Sequence, residues 1–242
     1  MTPTSLPATL RTERFPASNV DPQISNMLGT PLSITSARPG VNEAALTERL
    51  YHANEILADP ILASTLTTFV NKGFMAQSEI PHAVKIWADS STGRFKSPNE
   101  INEMLGPNGI FAVIYDGETP VAVAGGVPWK QGLQELALER ETGYEIKTVT
   151  VDPKVVKRGL ATRCMEIVIK KLIEVEKKKR DESGIFGDGK MKLWIQSTEY
   201  VNGDYWRGRG YKDVRNYEMP AGFWSARIPF TLLVQAREVD IA

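Results

Sequence analysis

EIKTVTVDPKVVKRGLATRCMEIVIKK, residues 145–171, is the stretch that decides the fold of this chain. Its β-branched run, Ile146–Val151, favours a strand. Asp152 and Pro153 end that strand, because proline cannot donate to a sheet ladder. A basic turn then leads to Gly159, after which apolar residues recur at spacings of three and four and predict one buried face of a helix. These apolar residues are Ala161, Met165, Val168, Ile169 and Leu172.

The order strand, glycine-bearing turn, helix is typical of an anion site. Backbone N–H groups and the positive end of the helix dipole point at one spot in this arrangement. Gly159 has no Cβ, so a diphosphate can come close to its backbone. The alternative is an ordinary crossover from strand to helix with a solvated basic turn.

The segment Val156-Lys157-Arg158-Gly159-Leu160-Ala161 resembles the Gln/Arg-x-x-Gly-x-Gly/Ala signature of the GNAT superfamily, the acetyl-CoA-dependent N-acetyltransferases. The preceding residues 149–153 also fit the family's pattern, whereas Val156 stands where the family prefers Gln or Arg. The resemblance implies acetyl-CoA as co-substrate and no metal. The residues it implies for coenzyme A binding are Val149, Thr150, Val151, Lys157, Arg158, Gly159, Leu160, Ala161 and Thr162.

The resemblance also implies the fold class, α/β (α+β) of GNAT type, with a mixed, mostly antiparallel central sheet and helices on both faces. Residues 1–31 are rich in Pro, Ser, Thr and Asn and are expected to form a flexible lead. Residues 32–242 are expected to form the acyltransferase domain.

Hydrophobic periodicity and turn residues predict the elements of that domain. Gly125-Gly126 predicts a bulge or a close backbone approach in its strand. The predicted elements are a strand over 31–38, helices over 42–58, from Pro60 onward, over 82–87 and from Ser97 to Leu105, a hairpin of strands 110–115 and 121–127, the central strand and long helix described above, a strand over 193–196, a short helix over 199–208, and strands over 211–219 and 228–236.

Acetyl transfer to an amine calls for a base, since an amine is mostly protonated near neutral pH. Glu145 is the candidate: it lies fourteen residues before Gly159, the spacing at which some histone-acetylating members of the family carry their glutamate. The alternative is a solvated carboxylate paired with Lys147, which shares its face of the strand. The resemblance further implies a backbone N–H at Val149 or Thr150 as the oxyanion donor.

The candidate for the general acid is Tyr205, and the alternatives are protonation of the thiolate by water or on product release. The family commonly places a tyrosine four residues before a Gly-Phe pair, and Gly210-Tyr211 resembles that pair, but the slot holds Trp206. An indole donates a hydrogen bond but does not replace a phenol as a proton donor. Trp206 and Trp129 are candidates for substrate binding. Three nearby cations have two interpretations, contact with coenzyme phosphates or simple solvation: Arg207, Arg209 and Lys212.

Net charge and cysteine content bear on the binding partners and the cellular compartment expected of this protein. Lys plus Arg and Asp plus Glu both number 29, so no net field recruits nucleic acid or a membrane. The single cysteine, Cys164, forms no internal disulfide and predicts a buried residue in a cytoplasmic protein. The basic tract 177–180 is either the solvated end of the long helix or a nuclear localisation signal, and both interpretations stay open.

The sequence therefore predicts an N-acetyltransferase that moves an acetyl group from acetyl-CoA to a primary amine of a small molecule. The alternatives are acetylation of a protein lysine or N-terminus, and a non-catalytic acyl-CoA-binding module. The chain is expected to be a monomer or a homodimer.

Overall fold

The computed structural model describes residues 46–77, 86–87, 93–130, 132, 141–184 and 188–241. The chain divides into two compact units, Met1–Pro39 and Gly40–Ala242, and every described residue belongs to the second. The strand predicted over 31–38 and most of the helix predicted over 82–87 lie outside the described residues. The boundary between lead and domain therefore stays a prediction.

Seven strands and five α-helices form the described part of the chain. In order they are β1 (Leu46–His52), α1 (Ala53–Ala58), α2 (Pro60–Gln77), α3 (Asn99–Leu105), β2 (Ile110–Asp116), β3 (Thr119–Pro128), β4 (Tyr144–Val151), α4 (Leu160–Ser183), β5 (Lys190–Thr198), α5 (Asp204–Arg207), β6 (Lys212–Met219) and β7 (Phe230–Asp240). Short 3₁₀ turns at Pro153–Val155 and Phe223–Ser225 and a π-helical turn at Glu199–Gly203 lie between them.

The strands form one sheet in the order β1-β2-β3-β4-β5-β7-β6. Every neighbouring pair is antiparallel except β4 and β5, which run parallel. A parallel pair needs a crossover connection, and α4 provides it. The sheet is thus mixed and mostly antiparallel, as predicted.

Helices cover both faces of this sheet, which confirms the predicted architecture. On one face, α1, α2 and α3 pack on a core that includes Phe111, Val113 and Val123. On the other face, α4 packs on a core that includes Ala112 and Ile146. Side chains of successive strand residues point to opposite faces, so the hairpin supplies both cores and is buried along nearly its whole length.

The helix predicted over 42–58 is wrong for residues 46–52, which form β1 and pair with β2. The prediction rested on Leu46 and Leu50. Residues four apart share a face on a helix, but they also share a face on a strand, whose side-chain period is two. Both leucines pack against the core beneath α4 from strand positions. Among the described residues of that range, 46–58, the helical ones are Ala53–Ala58.

The close backbone approach predicted at Gly125-Gly126 is present. A Cβ on Gly126 would lie 2.6 Å from Cγ1 of Val168, so α4 packs directly on this part of β3. The pairing of β3 with β4 also shifts register between Val123 and Gly125. The long helix therefore packs on the sheet at close range in this region.

Cys164 is buried, as predicted, and its Sγ lies 3.2 Å from the carbonyl oxygen of Ala112. Burial raises the pKa of this thiol, so it stays a neutral packing residue in α4. Within the described residues, no helix combines the length and the apolar character that a membrane span requires.

Candidate functional site

The site begins where β4 and β5 separate. Their parallel pairing comprises only Tyr144 with Leu193 and Glu145 with Trp194. Beyond Glu145 the two strands continue without a register partner in each other, so the sheet opens toward the C-terminal ends of both strands. Glu145 therefore lies at the point of divergence, and the loop that carries Gly159 follows the end of β4.

A β-bulge in β4 lies on the edge of this opening. Thr148 has a φ of 55°, in the left-handed region that non-glycine residues seldom adopt. The register against β3 passes from Lys147 directly to Thr150, which leaves Thr148 and Val149 without a partner on either neighbouring strand. Of the two predicted oxyanion donors, Val149 is thus the one that the ladder leaves unpaired.

The turn after β4 ends with an exposed glycine at the start of α4. Gly159 has a φ of 76°, and a Cβ placed on it would meet no atom within 4 Å. The first hydrogen bond of α4 runs from the Arg163 N–H to the Gly159 carbonyl, at 3.0 Å. The N–H groups of Leu160, Ala161 and Thr162 precede that bond and have no carbonyl within the helix to accept them.

This combination is an open cradle for a diphosphate. The cradle has free donors, the positive end of a 24-residue helix and no side chain above its glycine. The side chain of Lys157 is exposed and that of Arg158 is half-buried. Leu160 contributes only its backbone, because its side chain is buried in the core beneath α4.

Helix α2 fixes the entry to the cradle. Lys72 Nζ lies 2.8 Å from the Asp152 carboxylate, which also accepts from the Lys154 N–H at 2.9 Å. Burial raises the pKa of Asp152, but these bonds outweigh it, so the pKa is lowered and the carboxylate stays charged. At the next position of α2, a Cβ on Gly73 would lie 2.1 Å from the buried hydroxyl of Thr150.

Arg209 extends the cradle on the side of β5. Its guanidinium carbon lies 3.5 Å from the ring centroid of Tyr205, and a terminal nitrogen lies 3.4 Å from the Thr162 hydroxyl. In the described part of the chain no carboxylate pairs with Arg209, so its charge is available for a phosphate. Arg207 differs, since it pairs with three carboxylates and serves the local structure: Glu199, Asp204 and Asp213.

Tyr205 and Trp206, neighbours in the short helix α5, differ in burial although their rings meet edge to face with centroids 4.9 Å apart. Tyr205 is 36% exposed and faces Arg209, whereas Trp206 is buried against Tyr211 and Leu160 beneath α4. Trp206 therefore has a packing role, and its contact with substrate stays a prediction. Burial raises the pKa of the Tyr205 phenol, and Arg209 opposes this in part. The phenol consequently stays protonated at neutral pH.

Glu145 is buried on the sheet face that α1, α2 and α3 cover. It is only 6% exposed, and its carboxylate accepts hydrogen bonds from Lys147 Nζ at 3.0 Å and Gln196 Nε2 at 3.1 Å. The pairing with Lys147 is present, but the carboxylate is not solvated. Two donors fix its orientation at the point where the strands diverge, and Gln196 has no sequence pattern that predicts this contact.

Trp129 lies on the same sheet face as Glu145. It stacks on Trp194 with ring centroids 4.7 Å apart, and Trp194 shares its face with Gln196 two residues on. The Trp129 indole donates to Glu141 at 2.8 Å. The structure thus brings Trp129 near the Glu145 side of the opening and Tyr205 near the cradle. A role for Trp129 in substrate binding stays a prediction.

Comparison with known protein families gives a match over part of the chain. Residues 76–180, which contain β2, β3, β4, the cradle and most of α4, match the family described as "Acetyltransferase (GNAT) family". No curated protein matches the chain significantly.

Several solved structures are similar at low identity. An acetyltransferase of the GNAT family from Streptococcus pneumoniae is 11% identical, with coverage of 80% of this chain and 99% of that chain and a TM-score of 0.48. The ribosomal-protein-S18-alanine N-acetyltransferase from Escherichia coli is 10% identical, with coverage of 81% and 96% and a TM-score of 0.46. An aminoglycoside 6'-N-acetyltransferase complexed with coenzyme A is 15% identical, with coverage of 80% and 97% and a TM-score of 0.48.

At TM-scores below 0.5, these likenesses carry no conclusion about the substrate of this chain. The family match is different, since it covers the segment that contains the diverging strand, the glycine turn and the long helix. By that match, residues 76–180 of this chain are similar to the GNAT family of acetyltransferases.

Proposed function

We propose that the protein transfers an acetyl group from acetyl-CoA to a primary amine of a small molecule. One observation carries the proposal: a buried, oriented carboxylate lies where β4 and β5 diverge, and an open diphosphate cradle follows the end of the same strand. The family supports acetyl transfer in general, and the geometry supports an amine acceptor because a base is present.

The cradle residues fit coenzyme A. Backbone N–H groups of 159–162 would bind the diphosphate, and Arg209 would add a cation beside Thr162. The absence of any atom above Gly159 leaves room for the phosphates. Acetyl-CoA supplies a thioester, whose carbonyl carbon is the electrophile.

Glu145 would prepare the acceptor. A lysine-like amine has a pKa of about 10, so its neutral form near pH 7 is rarer by roughly a thousandfold, or about 4 kcal/mol. Glu145 takes the proton as the nitrogen attacks, and Lys147 and Gln196 hold the carboxylate in place. A buried carboxylate with two fixed donors needs little reorganisation during this step.

The oxyanion would be stabilised at the β-bulge of β4, and the leaving thiolate would be protonated from α5. The N–H of Val149, a residue with no register partner in β3, would stabilise the oxyanion that forms as the C–N bond is made. When the C–S bond breaks, Tyr205 would donate its proton to the thiolate. Its raised pKa keeps it protonated for that step. The balance is one amide and one free thiol for each acetyl group transferred.

The proposal is tested by release of free thiol from acetyl-CoA in the presence of a panel of amines. We expect amine-dependent thiol release together with an acceptor heavier by one acetyl group. Peptides with a lysine or a free N-terminus are included as separate arms, and preference for them would replace the small-molecule acceptor. Binding of coenzyme A without any amine-dependent release would contradict catalysis and identify a binding module.

A further inference from the structure

We propose that the acceptor amine also carries a carboxylate, which Arg94 binds on the Glu145 side of the opening. This inference rests on the proposed function and adds the substrate class. Arg94 belongs to the segment between α2 and α3.

The backbone around Arg94 is fixed from both sides. The Asn71 side chain donates to the Phe95 carbonyl and accepts from the Phe95 N–H, both at 2.8 Å, in the manner of a paired strand. Phe95 itself is buried. Lys96 N–H donates to Glu100 at 2.9 Å. Arg94 therefore has a defined position although it lies in a connection between helices.

Two aromatic rings flank the Arg94 guanidinium. Its carbon lies 5.6 Å from the ring centroid of Phe74, in α2, and 5.8 Å from that of Trp224. Aromatic rings at these distances stabilise the flat faces of a guanidinium. The N–H groups in its plane then stay available to donate to a ligand. Such a fork matches the two oxygens of a carboxylate.

The backbone that carries Trp224 is itself unusual. Trp224 and Ser225 have φ values of 47° and 60°, so two successive non-glycine residues are left-handed. Such conformations persist only where surrounding contacts enforce them. Here the Trp87 indole donates to the Trp224 carbonyl at 3.1 Å, and Arg227 N–H donates to the Ile86 carbonyl at 2.7 Å. These contacts hold Trp224 over Arg94.

Arg94 is a cation without an acidic partner among the residues that the structure describes. No carboxylate of that part of the chain lies within ion-pair distance of it. Its side chain is solvent-accessible, yet surrounding protein atoms lower its pKa by desolvation, and the charge of Glu145 opposes that shift. Arg94 is therefore an exposed cation that contacts Phe74 of α2, the helix that covers the sheet face on which Glu145 lies.

The two charges suit opposite ends of one ligand. The amine of an acceptor directed at Glu145 would place a carboxylate of the same molecule within reach of Arg94. Amines with no anionic group would lack this charge-assisted contact and should therefore bind less tightly. The expected substrates are thus amino acids and related amino carboxylates.

Matched pairs of amines test the inference with the full-length protein. Each pair differs by the carboxylate: lysine and cadaverine, ornithine and putrescine, phenylalanine and phenethylamine, β-alanine and ethylamine. Rates are measured by thiol release from acetyl-CoA, and binding in the presence of coenzyme A is measured by calorimetry. In at least one pair, we expect the carboxylate to raise both affinity and kcat/KM by roughly 10- to 100-fold, the range for a hydrogen bond to a charged group.

The variant Arg94→Gln should lose that preference, mainly through KM, and treat both members of the pair alike. Arg94→Lys keeps the charge without the fork and should recover only part of it. Arg49→Gln is the matched control, because Arg49 also lies over an aromatic ring, that of Tyr115 at 5.5 Å, but on the edge strand β1. It should behave as the parent protein.

The outcomes separate this inference from the proposed function. Equal kcat/KM within every pair, or an unchanged preference in Arg94→Gln, would overturn the inference while acetyl transfer stands. Carboxylate-dependent binding that needs Arg94 but gives no thiol release would support the site and contradict transfer. Failure of every amino carboxylate to bind the parent protein would overturn the inference as well.

Discussion

Replacing Glu145 with Gln removes the proposed base and changes little else. The side chain is 6% exposed, and glutamine keeps its shape and one oxygen for the donors on Lys147 and Gln196. Coenzyme A affinity should hardly change, because the cradle lies beyond the end of β4. The rate with an amine acceptor should fall instead.

The expected loss follows from the chemistry of the amine. A positioned base is worth roughly 10²–10⁴-fold in kcat/KM, or about 2.7–5.4 kcal/mol in the activation barrier. The cost of a neutral amine near pH 7, about 4 kcal/mol, lies within this range. A loss far larger than that would mean that Glu145 does more than accept a proton.

The variant also leaves the Lys147 ammonium, whose side chain is 22% exposed, without its charged partner. Stability is therefore expected to fall by about 1–3 kcal/mol. The double variant Glu145→Gln with Lys147→Met removes the unpaired cation and should regain stability without regaining rate. This comparison separates damage to the fold from loss of the base.

The assay is the pH dependence of kcat/KM by thiol release. In Glu145→Gln the rate should rise about tenfold per pH unit up to the pKa of the amine, since the neutral amine then forms unaided. The parent protein should level off at lower pH. If Glu145→Gln is as fast as the parent at neutral pH, Glu145 is not the base and its carboxylate serves the structure alone.

Two further substitutions test the acid and the packing beneath the cradle. Tyr205→Phe should lower kcat by roughly 10²-fold or more with little recovery in alkali. Burial raises the pKa of Tyr205, so deprotonation should not limit the parent protein below about pH 10; a full recovery at high pH would contradict the assignment. Gly73→Ala should destabilise the fold by about 1–3 kcal/mol, seen as a lower Tm, because its Cβ would lie 2.1 Å from the Thr150 hydroxyl. The same change in a Thr150→Ala background should cost less, and an equal cost in both would refute the clash.

The sequence predicts those helices and strands whose local residue pattern agrees with their place in the fold. The hairpin, the central strand, the glycine turn and α4 were all predictable, because each has a distinct period or a turn residue at its end. Strand β1 was not, since the spacing of Leu46 and Leu50 suits a helix and a strand equally. Its identity depends on pairing with β2, which lies about sixty residues further along the chain.

The residues of the candidate site also fall into two groups, those that local sequence predicts and those that it does not. The cradle is a local motif, so Gly159 and its neighbours were predictable from a few residues. The partners of Glu145 are not local, because Gln196 reaches it only through the parallel pairing of β4 with β5. Trp206 shows the limit of motif spacing, since burial against Tyr211 gave it a packing role. Arg94 has no pattern at all and is apparent only from the rings around it.

Coenzyme A affinity of Gly159→Glu tests the central claim most directly. The substitution adds bulk and negative charge where the diphosphate is proposed to bind. Gly184→Glu is the matched control: it changes the same residue type at the other end of α4, also at a positive φ and with no atom within 4 Å. By calorimetry on folded proteins, Kd should rise by at least about 100-fold for Gly159→Glu, equivalent to about 2.7 kcal/mol, and stay near the parent value for Gly184→Glu. An unchanged Kd in folded Gly159→Glu would contradict the cradle and the acetyl-CoA-dependent function built on it.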